Sequence, residues 1–434
     1  MNEPSGQPLT RGRYPGRIRK PMGPDHCRGC NAAKPPRIPG VDMERVRKPG
    51  LSIFFFSLAL VGFLLLDARG AEIGTSVGKV QQASTHFNGD VFFNPGFPPD
   101  PASSRGQEPR RGGSGWIWRW LFGSDWPEWP EIKDVSPGPP PAARVPRGAI
   151  RITPVGHSTF LVQMDEVNIL IDPIWSNRAS PVSWAGPKRR TPPGIRFEDL
   201  PPIDVVLVSH NHYDHLDLPT LKRLAKKGAP SAIVTLGNLD LVRDAGIPNV
   251  DELDWWQSVR LSPDVTVTLV PAQHFSSRTL WDRNKTLWGG FVISGPSGNV
   301  FYSGDTGYGP HFREIARRFS PIRVALLPIS PFRPQPSTEP PREPYASMHM
   351  GPEEAVQAHL DVGAELSIAA HFRVFQLGPD GFDDAVNELA SALKEHDLKP
   401  DAFIAPLPGQ AIELSAGFIA ARGPVSLEAS VAGR

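Results

Sequence analysis

The chain predicts an α/β fold, a sheet-rich domain covered by helices, and two features of the sequence from residue 150 onward predict it. Apolar runs of strand length recur, and between them lie longer segments whose apolar residues fall on one face of a helix. The strand-like runs are 150–152, 160–162, 168–172, 205–209, 232–236, 265–272, 291–294, 300–305, 324–329, 367–371 and 403–407. Several are apolar throughout, as expected of strands covered on both faces. Helical periodicity falls at about 217–227, 311–319, 352–362 and 381–395. In the first of these, Asp217 stands at the cap and Pro219 in the first turn. Leu221, Leu224 and Ala225 line one face, and Lys226, Lys227 and Gly228 close the helix.

Upstream of that domain the texture changes. The 434 residues allow two or three domains, and 50 prolines with 41 glycines point to long irregular stretches. Residues 1–50 hold eleven Lys or Arg against four Asp or Glu and read as a disordered basic leader. It contains both cysteines, Cys27 and Cys30, so the remainder can form no disulfide. Residues 51–66 are continuously apolar after Arg45, Arg47 and Lys48. The region 51–70 therefore reads as a signal peptide or membrane anchor that places the residues after 70 outside the cytoplasm. Met43 opens this stretch in the manner of an ordinary start, leaving residues 1–42 to an upstream start choice.

Residues 71–148 form a Trp-rich extension and a Pro-rich linker. Trp116, Trp118, Trp120, Trp126 and Trp129 fall close together, either as an arm packed on the main domain or as an interfacial membrane patch. The α/β domain is expected over 149–415, with a tail at 416–434. A formal charge of +1 supplies no global basic field, which argues against a nucleic-acid partner.

Chemistry concentrates behind the run at 205–209. His210, His212, Asp214 and His215 follow it at H-x-H-x-D-H spacing, on a strand-to-helix loop where a tight turn lets side chains converge. Imidazole with carboxylate suits zinc or a similar borderline ion. His274, Asp305 (in a Gly-Asp-Thr-Gly turn) and His371 each follow a further apolar run. Seven ligand-type residues suffice for two ions if one carboxylate bridges.

This pattern resembles the metallo-β-lactamase-fold hydrolases, in particular the branch that includes N-acyl-phosphatidylethanolamine-hydrolysing phospholipase D. The resemblance spans roughly 147–410. It includes Gly156-His157-Ser158-Thr159, Asp172-Pro173-Ile174-Trp175, Asp254-Trp255-Trp256-Gln257, Arg283-Asn284-Lys285-Thr286-Leu287-Trp288 and His349-Met350-Gly351-Pro352-Glu353-Glu354-Ala355. It implies a four-layer αβ/βα sandwich with two Zn²⁺ per chain at one edge between the sheets. His210, His212 and His274 would hold one ion, Asp214, His215 and His371 the other, and Asp305 would bridge. His349 matches a histidine beside the scissile phosphate, so Asp305 and His349 are the implied catalytic pair. His157 has no ligand role in this reading and serves as support or packing.

The chain departs from the family's pattern at Phe372-Arg373-Val374-Phe375 and at Leu327-Pro328-Ile329-Ser330-Pro331-Phe332, both at the implied substrate mouth. The expected substrate is a lipid or small-molecule phosphodiester, with membrane contact through 51–66 and the tryptophans at 116–129. A lactonase or amidase using the same centre is the alternative, and a non-catalytic surface protein is the third reading.

Overall fold

The structure is a computed structural model that describes residues 84–95, 126–133, 139–333 and 348–414. The basic leader, the 51–66 run, Trp116, Trp118, Trp120 and the 416–434 tail lie outside the described residues. No helix among the described residues is long and apolar enough to cross a membrane.

In chain order the first half comprises β1 (Ile150–Gly156), β2 (Thr159–Met164), β3 (Val167–Ile171), β4 (Val205–Val208), α1 (Leu218–Lys227), β5 (Ser231–Thr235), α2 (Leu239–Asp244) and β6 (Val250–Leu253). The second half opens with β7 (Ser258–Arg260), β8 (Thr266–Val270), β9 (Gly290–Gly295), β10 (Gly298–Tyr302), α3 (His311–Phe319) and β11 (Ile322–Pro328). It continues with α4 (Pro352–Val362), β12 (Ala364–Ala370), α5 (Asp384–Glu395), β13 (Phe403–Ile404) and β14 (Ile412–Leu414). Two seven-stranded sheets result, ordered β14-β1-β2-β3-β4-β5-β6 and β13-β12-β11-β10-β9-β8-β7.

Alternation along each strand builds the layers, because successive side chains point to opposite faces. Ile150, Ile152, Val205 and Leu207 of the first sheet meet Val267, Leu269, Val300, Tyr302 and Leu326 of the second in one buried cluster. Their neighbours Val206 and Val208 face outward, against Leu221 and Leu224 of α1 and Val242 of α2. On the far side Phe301, Ala325, Leu327 and Ala369 face Phe312, Ile315, Val356 and Leu389 of α3, α4 and α5. This is the four-layer αβ/βα sandwich, and every expected strand and helix has a counterpart in it.

The elements that periodicity did not reveal are β6, β7, β14 and α2. All three strands lie at sheet edges, where short length and polar residues discourage pairing with other chains and also erase the apolar run. The fourth edge, β13, keeps only two residues of the expected 403–407 run. Asp217 does precede α1 but makes no side-chain cap to the helix backbone. Its carboxylate instead accepts from Thr220 Oγ1 at 2.5 Å and Ser176 Oγ at 2.8 Å, tying the loop after β3 to the helix.

The described parts of the extension pack on the sandwich. Phe92 is fully buried in the inter-sheet cluster, and its amide donates to Asn284 O at 2.9 Å. The His86 ring stacks on Trp255 at 3.8 Å. Trp129 is buried and donates its indole N–H to Asp380 O at 2.7 Å, so this tryptophan is packed rather than offered to a membrane. Phe92→Ala should therefore cost roughly 3–5 kcal/mol of unfolding free energy, the range for a core Phe. Urea denaturation at fixed metal concentration measures it, and a loss below about 0.5 kcal/mol would mark residues 84–95 as a dispensable surface strap.

Candidate metal centre

Strand direction decides where the site forms. β3 and β4 run parallel and β1 shares their direction, so the loops after all three emerge at one edge of the first sheet. β8, β10 and β12 likewise point one way in the second sheet. The carboxyl ends of parallel strands are the general place for ligands in α/β sheets. Here five such ends, those of β1, β4, β8, β10 and β12, bring eight ligand-type side chains together, and the end of β3 sets Asp172 against them.

Two groups form, each with its ligand atoms within 4.8 Å of one another: His210, His212, His274 and Asp305, and His157, Asp214, His215 and His371. In the first, His210 Nε2 lies 2.8 Å from His212 Nδ1, and His274 Nε2 lies 3.2 Å from the same atom. In the second, Asp214 Oδ2 lies 2.8 Å from His157 Nε2, 3.2 Å from His371 Nε2 and 3.3 Å from His215 Nε2. Asp305 joins them, with Oδ2 at 3.1 Å from His371, 3.2 Å from His215 and 3.9 Å from His274.

The donor set fits a metal. Asp305 Oδ1 is buried and has no hydrogen-bond partner among the described residues, a costly state for a carboxylate oxygen unless a cation meets it. Imidazole and carboxylate are the donors that borderline divalent ions prefer. All seven sequence-derived ligand candidates are therefore in the two groups, together with His157.

The outer partners explain how the rings are aimed. Asp172 directly follows β3 and is fully buried. It accepts from Ser209 N at 2.8 Å, Ser209 Oγ at 2.5 Å, His215 Nδ1 at 2.7 Å and Tyr302 OH at 2.6 Å. Ser209 Oγ, having donated to Asp172, accepts from His210 Nδ1 at 2.9 Å. One carboxylate thus keeps the Nδ1 proton on a histidine of each group, leaving both Nε2 lone pairs for an ion. His274 is fixed by Met348 O, 2.8 Å from its Nδ1. Asn94 grips the His274 peptide on both sides, donating to its carbonyl at 2.9 Å and accepting from its amide at 3.3 Å.

Asp172, Ser209 and Asn94 were not among the sequence-derived site residues. Only the first left a signal, an aspartate ending an apolar run before Pro173. Asp172, His157 and His371 have φ of 40°, 58° and 62°, a left-handed conformation that costs a non-glycine residue about 1–2 kcal/mol. Strain at three strand ends of one site is stored where function needs it. Gly304 meets a harder limit, with φ of 65° and a Cβ position 2.6 Å from Gly289 O. That close approach lets the turn present Asp305.

His349 stands at the rim, just before α4 and half-buried, with Nδ1 3.8 Å from Asp305 Oδ2. Its ring lies 5.0 Å from that of His274 and 5.4 Å from that of His371. Burial pushes its pKa down to about 4. Around His157, Phe375 packs edge-on against the ring, and Nε2 lies 2.8 Å from Asp214 Oδ2.

Charge within the cluster is balanced by protons. Burial alone would pull His371 down, but Asp305 and Asp214 hold it up at about 9. Burial likewise opposes ionisation of Asp305, yet the charges of His215 and His371 keep it well below the usual carboxylate range. Burial drives His210 and His274 well below the ordinary histidine value and His212 to about 3.

Comparison with known proteins agrees with this geometry. Residues 167–372 match the β-lactamase superfamily domain. N-acyl-phosphatidylethanolamine-hydrolyzing phospholipase D 1 of Caenorhabditis elegans is 35% identical over 275 residues, 60% of this chain and 75% of its own length. The chain belongs to the β-lactamase superfamily. An uncharacterized protein of Mycobacterium tuberculosis is 38% identical over 263 residues, 59% of this chain and 67% of that one. A metal-dependent hydrolase of Methanopyrus kandleri is 30% identical over 257 residues, 58% of this chain and 97% of that one. As a member of the superfamily this chain is a metal-dependent hydrolase, and the two His/Asp groups are its candidate metal sites.

Two outcomes are expected for this superfamily member. Asp172→Asn should weaken metal affinity about 10–100-fold, the usual cost of losing an outer partner of a ligating histidine. Chelator competition measures it, and unchanged affinity would remove Asp172 from the site. Metal binding near neutral pH should also release protons, because His371 is charged below about 9 in the ion-free cluster. Affinity should then fall as pH falls, which calorimetry in buffers of different ionisation enthalpy detects.

Proposed function

We propose that the chain is a dinuclear zinc phosphodiesterase of phospholipase D type, acting on N-acyl-phosphatidylethanolamine-like lipids. His210, His212 and His274 hold one ion in this reading, Asp214, His215 and His371 the second, and Asp305 reaches both. Contact between Asp305 Oδ2 and nitrogens of both groups supports the shared role. The relationship to a phospholipase of C. elegans supports the substrate class.

The observation that carries the phosphodiester reading is the position of His349. It sits beside Asp305 on the open side of the cluster, and the next element is α4, whose first turn begins at Pro352. A phosphate held there meets the His349 imidazole, while the α4 N-terminus is already met by Glu354, which accepts from Gly351 N at 3.1 Å. Zinc bound at the two groups supplies Lewis acidity and water activated near neutral pH.

The chain's own residues do the rest. Asp172 and Ser209 keep His215 and His210 in one tautomer and one orientation. Met348 O and Asn94 hold His274, and His157 holds Asp214. His349 donates an imidazole N–H to a phosphoryl oxygen or to the leaving oxygen. The apolar run at 51–66 supports an exported or membrane-anchored protein, with the catalytic domain on the outer side.

Elemental analysis of the zinc-supplemented protein should give about two ions per chain if a carboxylate is shared. His349→Ala should lower turnover of a phosphodiester roughly 10²–10⁴-fold, the range for an acid–base group, with metal content unchanged. His371→Ala should lose metal as well as rate. A His349→Ala protein that sheds metal, or that keeps full activity, would reject the role given to His349. Lactone or amide hydrolysis by a protein inert towards phosphodiesters would reject the substrate class.

A further inference from the structure

Five large apolar side chains are markedly exposed among the described residues, and four of them stand on loops at the metal-bearing edge: Trp184 at 56%, Leu280 at 49%, Trp281 at 50% and Leu407 at 58%. Large exposed apolar groups on a soluble domain mark a contact surface when they cluster. Their loops are joined to the site by hydrogen bonds.

The 276–286 loop grips the His210–Asp217 turn. Arg278 donates to Asn211 O and to Leu216 O, both at 2.8 Å, and Tyr213 OH donates back to Arg278 O at 3.0 Å. The loop bearing Trp184 grips the other flank. Its Ser176 donates to Asp217, while Arg190 N and Thr191 Oγ1 donate to Val374 O and Arg373 O behind His371. Leu407 adjoins that flank through Pro408, against which Gly194 packs.

Charge on this rim is one-sided. Residues 173–193, 275–288 and 372–378 carry eight Arg or Lys against one Asp, on a chain whose net charge is only +1. Arg189 among them is buried, and Glu131, Asp90 and Asp383 meet Lys188, Lys285 and Arg373, so the net charge of the rim stays positive. A half-buried aromatic ring lies next to the cluster at three points, each faced by an arginine. Arg278 covers Tyr213 at 4.0 Å, Arg283 covers Phe275 at 4.2 Å, and Arg373 stands 6.0 Å from Phe372.

We propose that the loop tips Trp184 and Leu280-Trp281 dock the mouth of the metal centre onto an anionic lipid bilayer, the rings entering the headgroup layer and the surrounding cations meeting lipid phosphates. Tryptophan prefers that layer because one side of the ring is apolar and the indole N–H is polar. Lys and Arg near an anionic leaflet strengthen the attraction further. A second copy of the chain is the poorer occupant, because a symmetric contact would press one cation-rich rim against another. The inference deepens the lipid reading above and rests on it for its purpose, but docking is measured without any substrate.

The test uses the full chain with vesicles of phosphatidylcholine and phosphatidylglycerol carrying brominated acyl chains, which quench inserted tryptophan. Wild-type emission should be quenched, and Trp184→Phe/Trp281→Phe should lose the part that these two rings contribute. Equal fractional quenching in both proteins overturns the proposal even if another segment anchors the chain. So does concentration-dependent dimerisation that Trp184→Glu/Trp281→Glu abolishes, with no quenching difference. In a second arm, Trp184→Glu/Trp281→Glu should slow hydrolysis of vesicle lipid about tenfold and leave a water-soluble phosphodiester unaffected. Equal loss on both substrates would place these residues in the site instead of at its surface. If the wild type hydrolyses neither substrate, the phosphodiesterase reading fails, and quenching alone still decides the docking.

Discussion

Four hydrogen bonds onto the Asp172 carboxylate hold the site together. Asp172 lies with no exposed surface at the end of β3, and a buried carboxylate is tolerated only when its oxygens are fully met. Ser209, His215 and Tyr302 meet them, and they come from the turn between β4 and α1 and from β10 of the opposite sheet. Satisfying one charge therefore sets the spacing of the sheets and the tautomers of two ring systems at once. The parallel register of β3 and β4, with Ile171 opposite Leu207, brings the two strand ends side by side.

The sequence made the inner strands legible because burial on both faces leaves no room for polar residues. It made the ligands legible for a related reason: four of them lie within six residues, and three more each follow an apolar run. Edge strands such as β7 (Ser-Val-Arg) escaped because they are short and half-exposed, so neither alternation nor hydrophobicity marks them. Asp172 and Asn94 escaped because a supporting role depends on partners distant in sequence. Asn94 and His274 are 180 positions apart, and nothing local to Asn94 announces the contact. Asp217 reads as a helix cap, yet its carboxylate turns to Ser176 and Thr220, since side-chain hydroxyls competed successfully with backbone amides.

The site divides into a rigid floor and a variable rim. The floor consists of strand ends in strained but over-determined conformations, with His157, Asp172 and His371 at positive φ. The rim consists of the loops 173–193 and 276–286, the stretch after His371 and the approach to α4. The departures from the family's pattern fall on the rim: Phe375 packs on His157 and Arg373 pairs with Asp383. A side-chain change at the loop tips reshapes the mouth without disturbing the hydrogen bonds that aim the imidazoles, whereas the approach to α4 also carries Met348 O, which fixes His274.

Each of the two His/Asp groups draws donors from both sheets: His210 and His212 face His274 and Asp305, while Asp214 and His215 face His371. Asp214 and His371 lie 157 residues apart, so an ion held between them closes a very long loop. Cross-links of that span remove much of the unfolded chain's conformational freedom, as a disulfide would. The hydrolytic domain contains no cysteine, and coordination is the one strong cross-link its residues can make. With an ion there, reaction centre and tertiary rivet would be the same object, and resistance to unfolding should follow metal supply.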